Sequence, residues 1–181
     1  QISVRTPVAA ALDLGTGCGV QSLHLARHAG RVVATDLNPR ALDLARITAR
    51  LSSIDVDLRI GDLYEPIDGE RFDLIVSNPP YVMSPPHGER LTYREGRLQG
   101  DELVRRVVAE GPRHLAPGGT MQLVANWAIV RGEPWQERLA SWLRPTGCDA
   151  LVLERERLSV YEYVEMWLAD AGLSGSAGHA E

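Results

Sequence analysis

Short apolar runs alternate with amphipathic stretches through the first half of the chain: Val8 to Leu14, Val20 to His28, Arg31 to Asp36, Arg40 to Leu51, Val56 to Ile60 and Phe72 to Ser77. Brief strand-like runs separated by stretches with apolar residues three and four apart predict strands joined by crossover helices, hence an α/β fold with a parallel sheet. Pro39 after Asn38 marks a helix start, and Ala41, Leu42, Leu44, Ala45 and Ile47 supply that helix's apolar face. In the second half, Asp101 to Leu115 reads as a helix stopped by Pro117-Gly118-Gly119 and Thr120 to Ala125 as a strand. Trp135 to Leu143 reads as a helix and Ala150 to Glu154 as a further strand. Ser159 to Leu173 mixes strand formers with helix formers, and Glu162, Glu165, Met166, Leu168 and Ala169 favour a helix. The long connection Asn78 to Gly100 contains four prolines and no periodicity, as expected of a functional or disordered loop. It follows a strand end, where ligands bind in open α/β sheets.

Composition narrows the class. A length of 181 residues suits one domain, read here as 1–173, with 174–181 as a flexible tail. Apolar residues are 44% and charged residues 24%, with no apolar run near the roughly 18 residues of a membrane span, so a membrane protein is excluded. The net charge is −5 and all 19 basic residues are arginine, which argues against a protein that lives by nonspecific phosphate neutralisation. Cys18 and Cys148 stand far apart without disulfide or zinc spacing, so a reducing cytoplasm is expected. The sequence begins without Met and enters a strand-like run almost at once, as a domain cut from a longer protein would.

Candidate chemistry collects at the strand ends. Asp13-Leu14-Gly15-Thr16-Gly17-Cys18-Gly19 places alternating glycines between the first strand and the first helix, where the backbone turns sharply and a ligand can lie on bare main chain. The same glycines also suit a simple tight turn. Their spacing is not the Gly-x-Gly-x-x-Gly of dinucleotide sites, and no Gly-Lys-Ser/Thr follows, which disfavours hydride chemistry and nucleotide hydrolysis. Asp36 ends the second strand, where a carboxylate can accept from two vicinal ribose hydroxyls, with Leu37 beside it. After the third strand, Asp62 can accept from an adenine amino group while Leu63 lines the ring. Asn78-Pro79-Pro80-Tyr81 is the sharpest signal: the prolines fix the backbone, Asn78 Oδ1 and the Pro79 carbonyl can hold both hydrogens of a planar NH₂ group, and Tyr81 can stack on its plane.

Taken together, Asp13 to Gly19, Asp36, Asp62 and Asn78-Pro79-Pro80-Tyr81 resemble the class I S-adenosylmethionine-dependent methyltransferases, and within them the HemK-like protein-(glutamine-N5) methyltransferases that modify translation release factors. The resemblance covers roughly residues 8 to 126. It implies a Rossmann-like, largely parallel seven-stranded sheet, complete or truncated, with helices on both faces. It implies S-adenosylmethionine as cofactor, held by Asp13, Gly15, Thr16, Gly17, Gly19, Asp36, Leu37, Asp62, Leu63 and Asn78, and catalysis by Asn78, Pro79, Pro80 and Tyr81. The expected acceptor is a protein glutamine. The alternatives are adenine-N6 or guanine-N2 of rRNA, tRNA or DNA, whose methyltransferases carry nearly the same tetrapeptide, and a scaffold that binds cofactor without turnover. The family's small helical domain that helps hold the release factor has no counterpart in this sequence, so a flanking substrate-recognition domain is expected.

Other features weigh less. His24 and His28 share a helix face but lack a third ligand, so no metal is expected. Trp127, Trp135, Trp142 and Trp167 fit packing better than base stacking. Arg90, Arg94 and Arg97, interleaved with Glu89 and Glu95, read as a solvated lid.

Overall fold

The computed structural model describes residues 6–80 and 100–170, without the side chains of Trp167 and Asp170. The chain divides into two compact units, 1–148 and 149–181.

The first unit carries a sheet of five parallel strands in the order β3-β2-β1-β4-β5. These are β1 (Val8–Leu14), β2 (Ala29–Asp36), β3 (Asp57–Ile60), β4 (Phe72–Ser77) and β5 (Leu115–Leu123). The helices are α1 (Val20–Leu25), α2 (Pro39–Leu51), α3 (Glu102–Glu110) and α4 (Trp135–Leu143). Strand alternation sends side chains to two cores. Leu12, Leu14, Val33 and Ile75 pack with Tyr64, Ile67 and Val107, while Ala11, Val32, Leu74 and Val76 pack with Leu25. Both faces of the sheet are therefore covered, as a parallel sheet requires. The central strands begin with a side chain in place of a backbone partner: Asp73 Oδ2 accepts from the Ala9 and Ala10 amides at 3.0 and 2.9 Å, just before the ladder opens at Ala11 opposite Leu74.

Asn38 caps α2 as its sequence suggested, its Oδ1 accepting from the Arg40 amide at 3.0 Å with Pro39 at the first helical position. The helix expected over Asp101 to Leu115 is shorter: α3 ends at Glu110 and a 3₁₀ turn, Gly111–His114, follows around Pro112. Strand β5 starts at Leu115 rather than at Thr120 and runs through Pro117-Gly118-Gly119. The expected stop is instead an irregularity, in which the register passes from Phe72 opposite Leu115 to Leu74 opposite Thr120. Gly119 is needed there because a Cβ would stand 2.8 Å from the Phe72 carbonyl oxygen and 2.9 Å from that of Ala116. None of the three described tryptophans is fully buried; Trp127 and Trp135 meet at 5.4 Å, and the Arg138 guanidinium lies 5.2 Å from the Trp142 ring.

In the second unit, the strand expected at Ala150 to Glu154 does not form. Leu151 and Leu153 are exposed and no neighbouring strand pairs with them among the described residues. A β pattern without a ladder partner leaves its backbone groups to water. The ambiguous segment that follows is helical, α5 (Val160–Asp170).

Candidate cofactor and acceptor site

Parallel pairing brings the carboxyl ends of four strands to one edge. Leu14 lies opposite both Thr35 and Ser77, and Asp36 lies opposite Ile60, so the residues that follow these strands emerge side by side. The strand order reverses at β1, which makes the gap above β1 and β4 the topological switch point.

Five polar contacts hold the glycine turn above β1. The Gly15 and Thr16 amides both donate to the Thr35 carbonyl at 2.9 Å. The Gly17 amide donates to Asp36 Oδ2 at 2.9 Å, the Thr48 hydroxyl to the Cys18 carbonyl at 2.7 Å, and the Thr16 hydroxyl to Asp13 Oδ2 at 2.6 Å. Gly15 and Gly17 have φ of +73° and +57°, and a Cβ at either would point into open space, so the turn presents a bare main-chain cradle. Gly19 also serves packing: a Cβ there would meet Ala45 at 3.2 Å, and its absence lets α1 and α2 close on each other.

Asp13 is fully buried beneath this turn. Its Oδ2 accepts from Thr16 and Ser22, both at 2.6 Å, whereas Oδ1 finds no partner. Burial pushes its carboxyl above the ordinary aspartate range, and the two hydroxyl bonds oppose that shift. Asp36 spends Oδ2 on Gly17 and Oδ1 on the Asn38 amide at 2.8 Å, and each carboxylate oxygen keeps a further lone pair for a ligand hydroxyl. Leu37 is exposed beside it. The Gly61 amide donates to the Asp36 carbonyl at 3.1 Å, which ties the Asp62-Leu63 turn to the same edge. Asp62 also faces Arg106 of α3 at 3.4 Å. The donors, acceptors and open cradle at this edge fit a nucleoside carrying an amino-acid tail.

On the other side of β1, the Ser77 hydroxyl donates to the Leu14 carbonyl at 2.9 Å and fastens the end of β4 to the root of the glycine turn. Asn78 is exposed there, Pro79 is buried and Pro80 half-buried. Tyr81 and the lid arginines lie outside the described residues. Gly15, Gly17, Asp36, Asp62 and Asn78, nominated from the sequence, thus lie along one edge, with Asp13 one layer below. Ser22, Thr35, Thr48, Ser77 and Arg106 were not nominated, and only Ser22, a small polar residue inside an apolar helix face, carried a sequence signal. His24 and His28 touch edge-to-face at 5.2 Å, and among the described residues no group of three metal-ligating side chains forms. No helix among the described residues is long and apolar enough to cross a membrane.

A family model, the methyltransferase small domain, matches residues 3–140. The chain is 42% identical over 129 residues to a release factor glutamine methyltransferase of Xylella fastidiosa, covering 64% of this chain and 46% of that protein. It is 34% identical over 115 residues to the ribosomal RNA small subunit methyltransferase C of Alcanivorax borkumensis, covering 64% of this chain and 31% of that protein. Among solved structures, the ribosomal protein L11 methylase of Lactobacillus delbrueckii superposes with a TM-score of 0.58 at 20% identity, covering 80% of this chain and 62% of that one. The five parallel strands found among the described residues thus follow the Rossmann-like methyltransferase fold. The chain spans about half the length of the release factor glutamine methyltransferases it matches.

Proposed function

From the premise that the chain belongs to the methyltransferase small-domain family, we propose that it is the catalytic domain of an S-adenosylmethionine-dependent N-methyltransferase acting on a protein glutamine amide, a translation release factor being the acceptor. The observation that carries this reading is the Ser77 to Leu14 bond, which sets Asn78-Pro79 beside the glycine turn. The cradle of Gly15 to Gly19 holds the methionine end of the cofactor, Asp36 the ribose, and Asp62 with Leu63 the adenine. Asp13 acts from below, holding Thr16 and Ser22. Residues 1–173 form the methyltransferase domain of a longer cytoplasmic enzyme, and a flanking domain shares in recognising the acceptor.

S-adenosylmethionine supplies, when bound, a methyl group made electrophilic by its sulfonium. An amide nitrogen is a poor nucleophile because its lone pair is delocalised. Asn78 Oδ1 and the Pro79 carbonyl each accept one hydrogen of the NH₂ group, which turns the lone pair out toward the methyl carbon. The side chains supply position rather than acid or base, and the excess proton leaves to water after transfer. Asn78 holds the acceptor more tightly as positive charge develops on nitrogen.

The net charge of −5 and the absence of lysine favour a protein acceptor over nucleic acid. The test is incubation of the full-length protein with radiolabelled cofactor and fractionated cell extract, followed by separate nuclease and protease treatment. Label on a release-factor-sized protein supports the glutamine reading. Label lost to nuclease and kept after protease transfers the assignment to a nucleic-acid amine. Cofactor binding without any labelled product means a scaffold.

A further inference from the structure

Asp101 stands at the N-cap position of α3, where an aspartate ordinarily accepts from the first free amides of the helix; here its side chain makes no such bond. The carboxylate turns away and is buried against other partners. Both oxygens accept from Arg138 Nη2 of α4, at 2.8 and 3.0 Å, and Oδ2 also accepts from the Ala128 amide at 3.0 Å. Arg138 is held in turn by Glu133 at 3.4 Å and by the Trp142 ring. One buried acid therefore joins three pieces of chain: the start of α3, the stretch leaving β5, and α4.

The stretch it grips is placed next to the acceptor end of the site. The Val124 amide donates to the Ser77 carbonyl at 3.2 Å, so the chain leaves β5 directly beside the residue that precedes Asn78. Four residues later the Ala128 amide reaches Asp101, and Trp127 rests on Trp135 of α4. Residues 124–128 are thus pinned at both ends, by β4 at one and by the Asp101–Arg138 pair at the other. One guanidinium nitrogen serves both oxygens of a nearly buried carboxylate, so the pair is held more firmly than a solvent-exposed one.

We propose that Asp101, acting through Arg138 and the Ala128 amide, is a positioning residue for the acceptor: it fixes the 124–128 stretch as the wall of the site beside Asn78. The cofactor half of the edge, built on β1, β2 and β3, makes none of these bonds. Loosening the wall therefore lets the acceptor nitrogen drift off line while leaving cofactor affinity alone. This rests on the acceptor reading given above.

The full-length protein is assayed with a purified bacterial release factor and, separately, with ribosomal RNA, comparing the wild type with Asp101→Asn, Arg138→Lys and the double variant. S-adenosylhomocysteine affinity is measured in parallel, below the melting temperature of each. Asp101→Asn keeps the shape and loses the charge, and Arg138→Lys keeps the charge and loses the fork. Each is expected to lower kcat at saturating acceptor on the order of tenfold to a hundredfold, as misplacement of a reactant does. The double variant should fall no further than the worse single one, and S-adenosylhomocysteine should bind all as it binds the wild type. Amide exchange at residues 126–130 should speed up in the variants. Variants that exchange faster there but keep wild-type kcat would overturn the proposal and leave Asp101 a packing residue, as would a parallel loss of cofactor affinity. A wild type that methylates neither acceptor would instead defeat the acceptor reading, and this inference with it.

Discussion

The main-chain amide of Gly17 donates to the carboxylate of Asp36 at 2.9 Å, so the acid at the end of one strand holds the glycine turn at the end of the next. In the proposed reading the same carboxylate also receives the ribose. Asp36→Ala therefore removes a ligand acceptor and releases the turn together. It should weaken S-adenosylhomocysteine binding by about 1.5 to 3 kcal/mol, the scale of hydrogen bonds to charged groups, read by calorimetric titration. Asp36→Asn keeps one accepting oxygen and should fall between the two. Wild-type affinity in Asp36→Ala would remove Asp36 from the site.

Asn78→Ala should lower kcat on the order of a hundredfold, because in the proposed reading its amide holds the acceptor. Full kcat would mean that Asn78 only shapes the loop.

Gly119→Ala sets a Cβ against the backbone oxygens of Phe72 and Ala116, neither of which can move without opening β4 or β5. A loss of about 1 to 3 kcal/mol is expected, seen as a lower melting temperature by calorimetry. Gly118→Ala is the control. Its φ of +78° imposes backbone strain, but a Cβ there meets open space, so the loss should be smaller.

The raised carboxyl of Asp13 predicts a pH signature. A native-state value above the unfolded one means that the folded chain binds more protons between the two. The stability linked to Asp13 is therefore complete below the ordinary aspartate range and is lost as pH rises through the raised value. The lowered carboxyls of Asp57 and Glu70, which bond to Arg59, work oppositely, contributing above the ordinary range and failing as pH falls. Asp13→Asn removes the first effect only. In urea titrations its stability relative to wild type should climb as pH is raised from about 4 toward neutrality. A difference that stays flat with pH would show that Asp13 is ionised in the folded protein as readily as in the unfolded chain.

The parts of the site legible in the sequence are those with a local physical signature. The glycines of the turn, Asp36 after an apolar strand and Asn78 before two prolines each announce themselves within a few residues. What was not legible depends on distant partners. Strand β5 begins at Leu115 because the Phe72 backbone is there to pair with it, and nothing near Leu115 encodes that. Ala150 to Glu154 has strand composition and no strand beside it among the described residues. The Asp101 carboxylate sits where a helix cap belongs, and only the folded chain brings Arg138, 37 positions away, to claim it.

Asp73 works as an alignment key. Its carboxylate engages β1 at Ala9 and Ala10, at the end of the sheet remote from the chemistry, and from there each rung of the ladder dictates the next until Leu14 meets Ser77. A slip of one rung would send every side chain of β1 to the wrong face and carry the glycine turn about 3.3 Å along the strand direction from Asn78. In the proposed reading, the tolerance with which methyl donor and acceptor can be matched is thus set partly at the opposite end of the sheet, by a residue that touches neither.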